Sequence, residues 1–263
     1  MTILYLEEKE GLALELDGPA LVIRREGESA RLVPLQRLER IHLPATLDVN
    51  CRVLVACARA GVVICFANGR SGEPLAWMLG APGDGGALAE RLETLWRRTD
   101  AQTLFARWRK AQLLEVFRQL GQLLPHCEEA DPQKVERELL RRAIRHAGER
   151  GARQSASWLE AEIRGELVKR LGARGLSPGQ AVAWGARLVP ILRWSAEAGR
   201  LWWLAHRHAG YRNRGQQPPP LERPEFTAFL ESRAEALATA ADELIERLEL
   251  WLQDPGDDRE ESA

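Results

Sequence analysis

Cysteine, lysine and long apolar runs are scarce in this sequence, and these absences exclude several classes of protein. The 263 residues contain four cysteines, none of them in a Cys-x-x-Cys pair, so we expect no structural zinc site. No apolar run approaches the roughly 20 residues that cross a bilayer. The first ten residues, MTILYLEEKE, have no basic segment ahead of an apolar one, unlike a signal peptide. We therefore expect a cytoplasmic protein without a membrane segment.

The motifs of the commonest nucleotide-binding and hydrolytic enzymes are also missing. The chain contains no GxxxxGK[ST] phosphate loop, no HExxH zinc-protease motif and no GxSxG nucleophile motif. These absences argue against P-loop enzymes, zinc proteases and serine hydrolases of the usual kinds.

The charge is unevenly distributed along the chain, although the formal net charge is only -1. Residues 81–220 hold 24 Lys+Arg and 15 Asp+Glu, whereas residues 221–263 hold 4 and 13. Only four of the basic residues are lysines, and the planar guanidinium of arginine suits two parallel hydrogen bonds to a phosphate. The basic central segment therefore points to nucleic acid more clearly than the total charge does.

The first 79 residues predict strands and the rest of the chain predicts helices, so the expected fold class is α+β. The alternation in LALELD (12–17) is typical of a half-buried strand, and its closing Asp-Gly pair is a hairpin signal. Residues 49–60 predict one short helix and residues 62–67 a buried strand. We expect a small β-sandwich-like domain over residues 1–79, followed by a linker rich in Gly and Pro over residues 80–87.

An all-helical domain is expected over residues 88–252, followed by an acidic, disordered tail over residues 253–263. Both Asp131-Pro132 and Ser177-Pro178 place a capping side chain before a proline in a first helical turn. The tryptophans beyond residue 90 are expected in a helical core or a dimer interface. Helices are predicted at 88–98, 100–124, 132–148, 154–174, 178–189, 190–209 and 224–252.

Four segments of the chain carry a family resemblance. In the strand-rich part these are DGPALVIRREGESARLVPLQRLERIHL (17–43) and AGVVICFANGRSGEPLAWMLG (60–80). In the helical part they are DAQTLFARWRKAQLLEVFRQL (100–120) and SWLEAEIRGELVKRLGARGLSPG (157–179). Together they resemble the CRISPR-associated integrase, the subunit that inserts new spacers into the array.

The resemblance implies a β-domain that forms a homodimer and a helical domain that binds DNA ends or branched DNA. A small ferredoxin-like partner of spacer acquisition is also implied. In this family a Glu, a His and a further acidic residue hold Mg²⁺ or Mn²⁺, ions that suit oxygen ligands with one imidazole. The metal polarises a phosphate for attack by a 3′-hydroxyl or a water.

The metal ligands can be placed in two registers, both of which start from Glu149 in HAGERGARQ. In the first register GLSP (175–178) is the family's motif, no histidine follows it, and the acidic ligand is Glu197. In the second register His206 or His208 is the imidazole ligand, and Glu222 or Glu225 is the acid. Histidines at i and i+2 do not share a helix face, so at most one of the pair serves.

Rows of basic residues on the predicted helices favour DNA contact, because arginine and lysine bind phosphates with little sequence preference. The alternative is a solvated helix face with ion pairs to Glu136 and Glu138. The candidates for DNA contact are Arg107, Arg109, Lys110, Arg141, Arg145, Arg212 and Arg214.

Three hypotheses follow from the sequence. The favoured one is an integrase-like protein of spacer acquisition that binds DNA and has a degenerate metal centre. The second is an active metal-dependent DNA endonuclease and integrase that uses Glu149 with a displaced histidine. The third is a two-domain interaction module with neither enzymatic activity nor a role in binding nucleic acid.

Overall fold

The N-terminal strands form two sheets around one hydrophobic core. The computed structural model describes residues 2–7, 11–68, 74–78, 86–122, 132–214 and 216–255. Within them the strands are β1 (Thr2–Tyr5), β2 (Ala13–Asp17), β3 (Ala20–Arg24), β4 (Arg31–Pro34), β5 (Leu38–Pro44), β6 (Val63–Ala67) and β7 (Pro74–Met78). A 3-10 turn at Leu35–Arg37 precedes β5, and helix α1 (Cys51–Arg59) lies between β5 and β6.

The two sheets differ in their strand directions. One has the order β1-β5-β6-β7, in which β5 is parallel to β1 and β6, and β7 is antiparallel to β6. The other is the antiparallel meander β2-β3-β4, whose first turn uses Gly18 at φ 55°. Leu21, Ile41 and Ile64 from both sheets lie in the shared core. The expected hairpin, short helix and buried strand are confirmed.

The rest of the chain is helical, which confirms the α+β class. The helices are α2 (Ala87–Trp96), α3 (Ala101–Gln122), α4 (Pro132–Ala173), α5 (Pro178–Arg212), α6 (Arg223–Ser232) and α7 (Ala234–Trp251). Ser177 caps α5, since its backbone N–H donates to Oε1 of Gln180 (2.9 Å) and its hydroxyl accepts from the backbone N–H of Gln180 (3.4 Å). Asp131, the other expected cap, lies outside the described residues, as do residues 256–263 of the expected tail.

Three predicted helix boundaries are wrong. Helix α5 continues through Pro190, where two helices were predicted, because buried side chains such as Leu188 and Leu192 pack on both sides of the proline. The predicted helix 224–252 is divided at Arg233. Residues between 148 and 154 were predicted to lie outside helices, but they belong to α4. Within α4, only Gly148 has a non-helical backbone.

The chain divides into two compact units, and the first is not continuous in sequence. It comprises Met1–Gly86 together with Arg164–Gly185, and the second comprises Ala87–Ile163 and Ala186–Ala263. The domain boundaries expected from the sequence therefore stay a prediction, and most of the 80–87 linker lies outside the described residues. The assignment of 164–185 to the strand-rich unit had no signal in the sequence.

A buried ion pair connects the two segments of the first unit. Arg40 on β5 is fully buried, and its Nη2 donates to Oε2 of Glu166 at 2.8 Å. Glu166 also accepts from Nε of Arg170 at 2.6 Å. Gly165 leaves room for this guanidinium, because a Cβ there would lie 2.8 Å from Cζ of Arg40. Together these contacts fix the Arg164–Gly185 segment against β5.

The second unit is held by aromatic packing and by one buried polar network. Phe105 and Trp108 of α3 pack against Trp251 of α7, so these tryptophans belong to a helical core. In the network, Arg200 binds both carboxylate oxygens of Glu197 and donates to Oγ of Ser155 at 2.7 Å. None of the helices in the described ranges combines the length and apolar character needed to cross a membrane. The cytoplasmic location stays a prediction.

Candidate functional site

A kink at Gly148 places Glu149 at the start of the second half of α4. Gly148 has φ 70° and ψ 169°, a backbone conformation that essentially only glycine adopts. Helical geometry resumes with Glu149, so its side chain leaves the first turn of the new segment. The local sequence HAGER therefore sets the direction of this carboxylate.

The kink forms one wall of a cavity of about 570 Å³ in the second unit. The end of α5 and the proline-rich segment before α6 form the other walls. The lining consists of residues 145–151, Gln154, Arg207, His208 and residues 217–221. Glu149 and His208, both candidate ligands from the sequence, therefore open into the same space.

The carboxylate of Glu149 is accessible and has one cationic neighbour. Its Oε1 accepts from Nη2 of Arg153 at 2.5 Å, one helical turn further along α4. The side chains of Glu149 and Arg153 are 65% and 76% exposed, so this ion pair contributes little to stability. Glu149 can therefore exchange its arginine partner for another group without a large structural cost.

His208 has a second histidine beside it, which the sequence analysis missed. The rings of His146 and His208 meet edge to face with centroids 5.5 Å apart. Burial lowers the pKa of His146, and the nearby charges of His208, Arg145 and Arg142 lower it further. Its Nδ1 is buried, and no hydrogen-bond partner for it lies in the described part of the chain. No spacing in the sequence signals this neighbour, because His208 lies on another helix.

His206 lies in a different cleft from Glu149 and His208. Its ring stacks on Trp202 with centroids 3.9 Å apart, and its Nδ1 lies 3.2 Å from the carbonyl oxygen of Trp202. This second cleft lies along the C-terminal half of α5 and α6. The structure therefore brings only one histidine of the i, i+2 pair to the cavity of Glu149.

The two acidic candidates of the second register have different surroundings. Glu222 is exposed, directly follows the cavity-lining Leu221, and precedes α6 as its N-cap residue. Glu225 accepts a hydrogen bond from Nε of Arg207 at 2.8 Å. Nη2 of Arg207 also donates to the carbonyl of Pro219 at 3.0 Å. Arg207 therefore joins α5 to α6 and to the proline segment, and it lines both the cavity and the second cleft.

The acidic candidate of the first register, Glu197, is 2% exposed and belongs to the buried network with Arg200. No group of three His, Cys, Asp or Glu side chains in the described ranges has the arrangement of a metal site. The structure thus brings Glu149 and His208 into one cavity. Among the described residues, no acidic side chain is grouped with these two as a third ligand.

The basic candidates are exposed and all lie in the second unit. Arg145 lines the cavity of Glu149, and Arg214 lines the second cleft, where its guanidinium lies 4.8 Å from the ring centroid of Tyr211. Arg141 is paired with Glu138 at 2.9 Å, as the solvated-face alternative expected. The other candidates are Arg107, Arg109 and Lys110 on α3 and Arg212 at the end of α5, all exposed.

Comparison with known proteins identifies relatives of this architecture. The model of the family described as CRISPR associated protein Cas1 matches residues 4–164. A Cas1 protein from Thermotoga maritima superposes with a TM-score of 0.68 at 12% identity, over 96% of this chain and 97% of that chain. A casposase bound to its integration product superposes with a TM-score of 0.63 at 9% identity, over 98% and 92%. The search of curated proteins gave no match.

Proposed function

Because the chain belongs to the Cas1 family and is an integrase-like CRISPR protein, we propose that it binds DNA ends or branched DNA during spacer acquisition through its second unit. The observation that carries the proposal is the cavity that Glu149 shares with His208 and with Arg145, Arg150 and Arg207. Arg145 and Arg150 are exposed cations in this lining, which favours an anionic ligand, and DNA phosphates are bound by such groups. The casposase relative, which is bound to its integration product, supports the same ligand class.

The metal that this family uses does not fit the residues as they are arranged. Mg²⁺ and Mn²⁺ take octahedral shells of oxygen ligands, supplied by carboxylates and completed by water. Here no third ligand is grouped with Glu149 and His208 among the described residues. The proposal is therefore a DNA-binding protein with a degenerate metal centre, and it includes no metal-dependent step.

A salt titration of DNA binding tests the ligand class. Fluorescence anisotropy with a labelled branched duplex measures the affinity of the wild type, of Arg145→Ala and of a control, Arg97→Ala. Arg97 is 82% exposed at the end of α2 and does not line the cavity. We expect only Arg145→Ala to weaken binding and to reduce the slope of log K against log salt by about 1. Absence of wild-type binding at every salt concentration would leave the non-enzymatic interaction module as the better hypothesis.

The alternative is an active metal-dependent enzyme, which the shared cavity of Glu149 and His208 favours. A strand-transfer assay distinguishes this alternative from a DNA-binding protein with a degenerate metal centre. The wild type and Glu149→Ala are incubated with Mn²⁺, a duplex with free 3′ ends and a target duplex. We expect no joined product from either protein. Product that forms with the wild type and is lost in Glu149→Ala would replace the proposal with an active endonuclease and integrase.

We also propose that the first unit forms a homodimer and binds the small ferredoxin-like partner of spacer acquisition. Leu32 on β4 and Leu75 on β7 support this, because both lie on edge strands and are 59% and 60% exposed. Edge strands also carry unpaired backbone N–H and C=O groups, which can pair with a strand of a second chain. Light scattering should give the mass of a dimer for the wild type and a lower mass for Leu32→Arg, whereas an unchanged mass would place the interface elsewhere.

A further inference from the structure

The second cleft combines exposed aromatic rings with cationic side chains, and the metal chemistry of the family does not account for it. Its volume is about 770 Å³, within the size range of small-molecule sites. The stacked rings of Trp203 and Phe229 lie at its base, with centroids 5.3 Å apart. The cleft therefore has a rigid aromatic floor.

Trp202 is the most exposed aromatic side chain of this cleft. It keeps 61% of its surface accessible although His206 stacks on it. A large part of the indole is therefore available to a ligand. The exposed indole is a flat aromatic surface of the kind on which nucleobases stack.

Two cationic groups of the cleft lie beside Tyr211. The guanidiniums of Arg207 and Arg214 lie 5.3 Å and 4.8 Å from the centroid of its ring. Arg207 is neutralised by Glu225 at 2.8 Å, whereas Arg214 is exposed on the rim. Arg233 adds a further exposed cation to the lining. The cleft therefore offers stacking faces and phosphate-binding groups within one space.

We propose that this cleft binds unpaired nucleotides of a single-stranded DNA end, with a base stacked on Trp202 and phosphates bound by Arg214 and Arg233. The inference rests on the proposed DNA-binding function and names the part of the ligand that this surface recognises. Single-stranded DNA is the occupant that needs both exposed aromatic faces and cations. His206 is then a stacking residue, and His208 is the member of this pair that lines the cavity of Glu149.

Anisotropy with two matched DNAs tests the proposal. One is a blunt duplex, and the other is the same duplex with a short single-stranded thymidine overhang. We expect the overhang to increase the affinity of the wild type, and Trp202→Ala to lower affinity for the overhang DNA roughly 5- to 150-fold, the range for loss of one stacked base. Trp202→Phe should restore most of this affinity, because it keeps an aromatic face. The control Leu250→Ala removes a side chain that is 64% exposed on α7, and it should change neither affinity.

A 2-aminopurine placed in the overhang reports stacking directly. Its fluorescence should be quenched by the wild type and by Trp202→Phe, and much less by Trp202→Ala. If the blunt duplex binds but the overhang adds no affinity, or if Trp202→Ala weakens both DNAs equally, the assignment of this cleft is overturned and the proposed function stands. If neither DNA binds the wild type, the proposed function fails as well.

Discussion

Replacing Gly148 by alanine tests whether the kink in α4 requires glycine. A Cβ at this position would meet no atom within 4 Å, so the change adds no clash and acts only through the backbone. A residue other than glycine held at φ 70° and ψ 169° is strained by about 1–3 kcal/mol. In a protein of this size, 1 kcal/mol shifts Tm by about 2–4 °C. We therefore expect Gly148→Ala to lower Tm by roughly 2–12 °C.

Gly210→Ala is the matched control for this experiment. Gly210 lies in α5, and a Cβ there would also meet no atom within 4 Å. Its backbone is helical, so alanine should stabilise the protein by up to about 1 kcal/mol. Thermal unfolding followed by far-ultraviolet circular dichroism should therefore shift Tm in opposite directions for the two variants.

The positive φ at Gly148 would be refuted if both variants changed Tm by the same amount. It would also be refuted if the Tm of Gly148→Ala were equal to or above that of the wild type. The placement of Glu149 in the cavity would then lose its structural basis. If Tm falls as expected, the affinity of Gly148→Ala for branched DNA measures how far the kink also positions the phosphate-binding groups around Glu149.

Three further perturbations test other contacts. Gly165→Ala should lower Tm, because its Cβ would lie 2.8 Å from Cζ of Arg40 and such overpacking costs about 1–3 kcal/mol; an unchanged Tm would contradict the close approach. Glu197→Ala should cost about 3–5 kcal/mol in urea unfolding, since its buried arginine partner loses its counter-charge, and a loss under about 1 kcal/mol would contradict this. In an NMR titration His146 should have a pKa below 6.5, because burial and the charge of His208 disfavour its imidazolium form. His208→Ala should raise that pKa, and no change would exclude the electrostatic contact.

Local signals predicted much of the fold correctly. The Asp-Gly pair before β3 predicted a turn, and Gly18 adopts the positive φ that this turn requires. Ser177 predicted the start of α5 because a capping hydroxyl and the proline after it act within one helical turn. These features depend on neighbours a few residues away, so sequence alone specifies them.

Long-range contacts were beyond the reach of sequence patterns. The Arg40–Glu166 pair joins residues 126 positions apart, and no periodicity relates them. Pro190 was expected to end a helix, but the packing of buried neighbours on both sides overrides its local preference. Tertiary packing determines both features, and a single sequence does not encode it in a readable pattern.

The candidate site was predicted in part. The sequence selected Glu149 and His208, which line one cavity, but it could not separate His208 from His206, since both fit the same looser register. It missed His146 because nothing in the spacing identifies a histidine that the fold brings beside another helix. The roles of the predicted ligands stay predictions.

The split sequence of the first unit has a consequence for synthesis on the ribosome. The strands up to Gly86 are made first, but the unit also needs Arg164–Gly185. At the usual rates of translation, residue 185 follows residue 86 by roughly 5–20 s. During that interval Arg40 has no Glu166 to pair with, so the nascent strands cannot complete their native packing. The first unit therefore finishes folding only after part of the second has been synthesised, and a fragment ending at Gly86 would lack the pairing that its buried arginine needs.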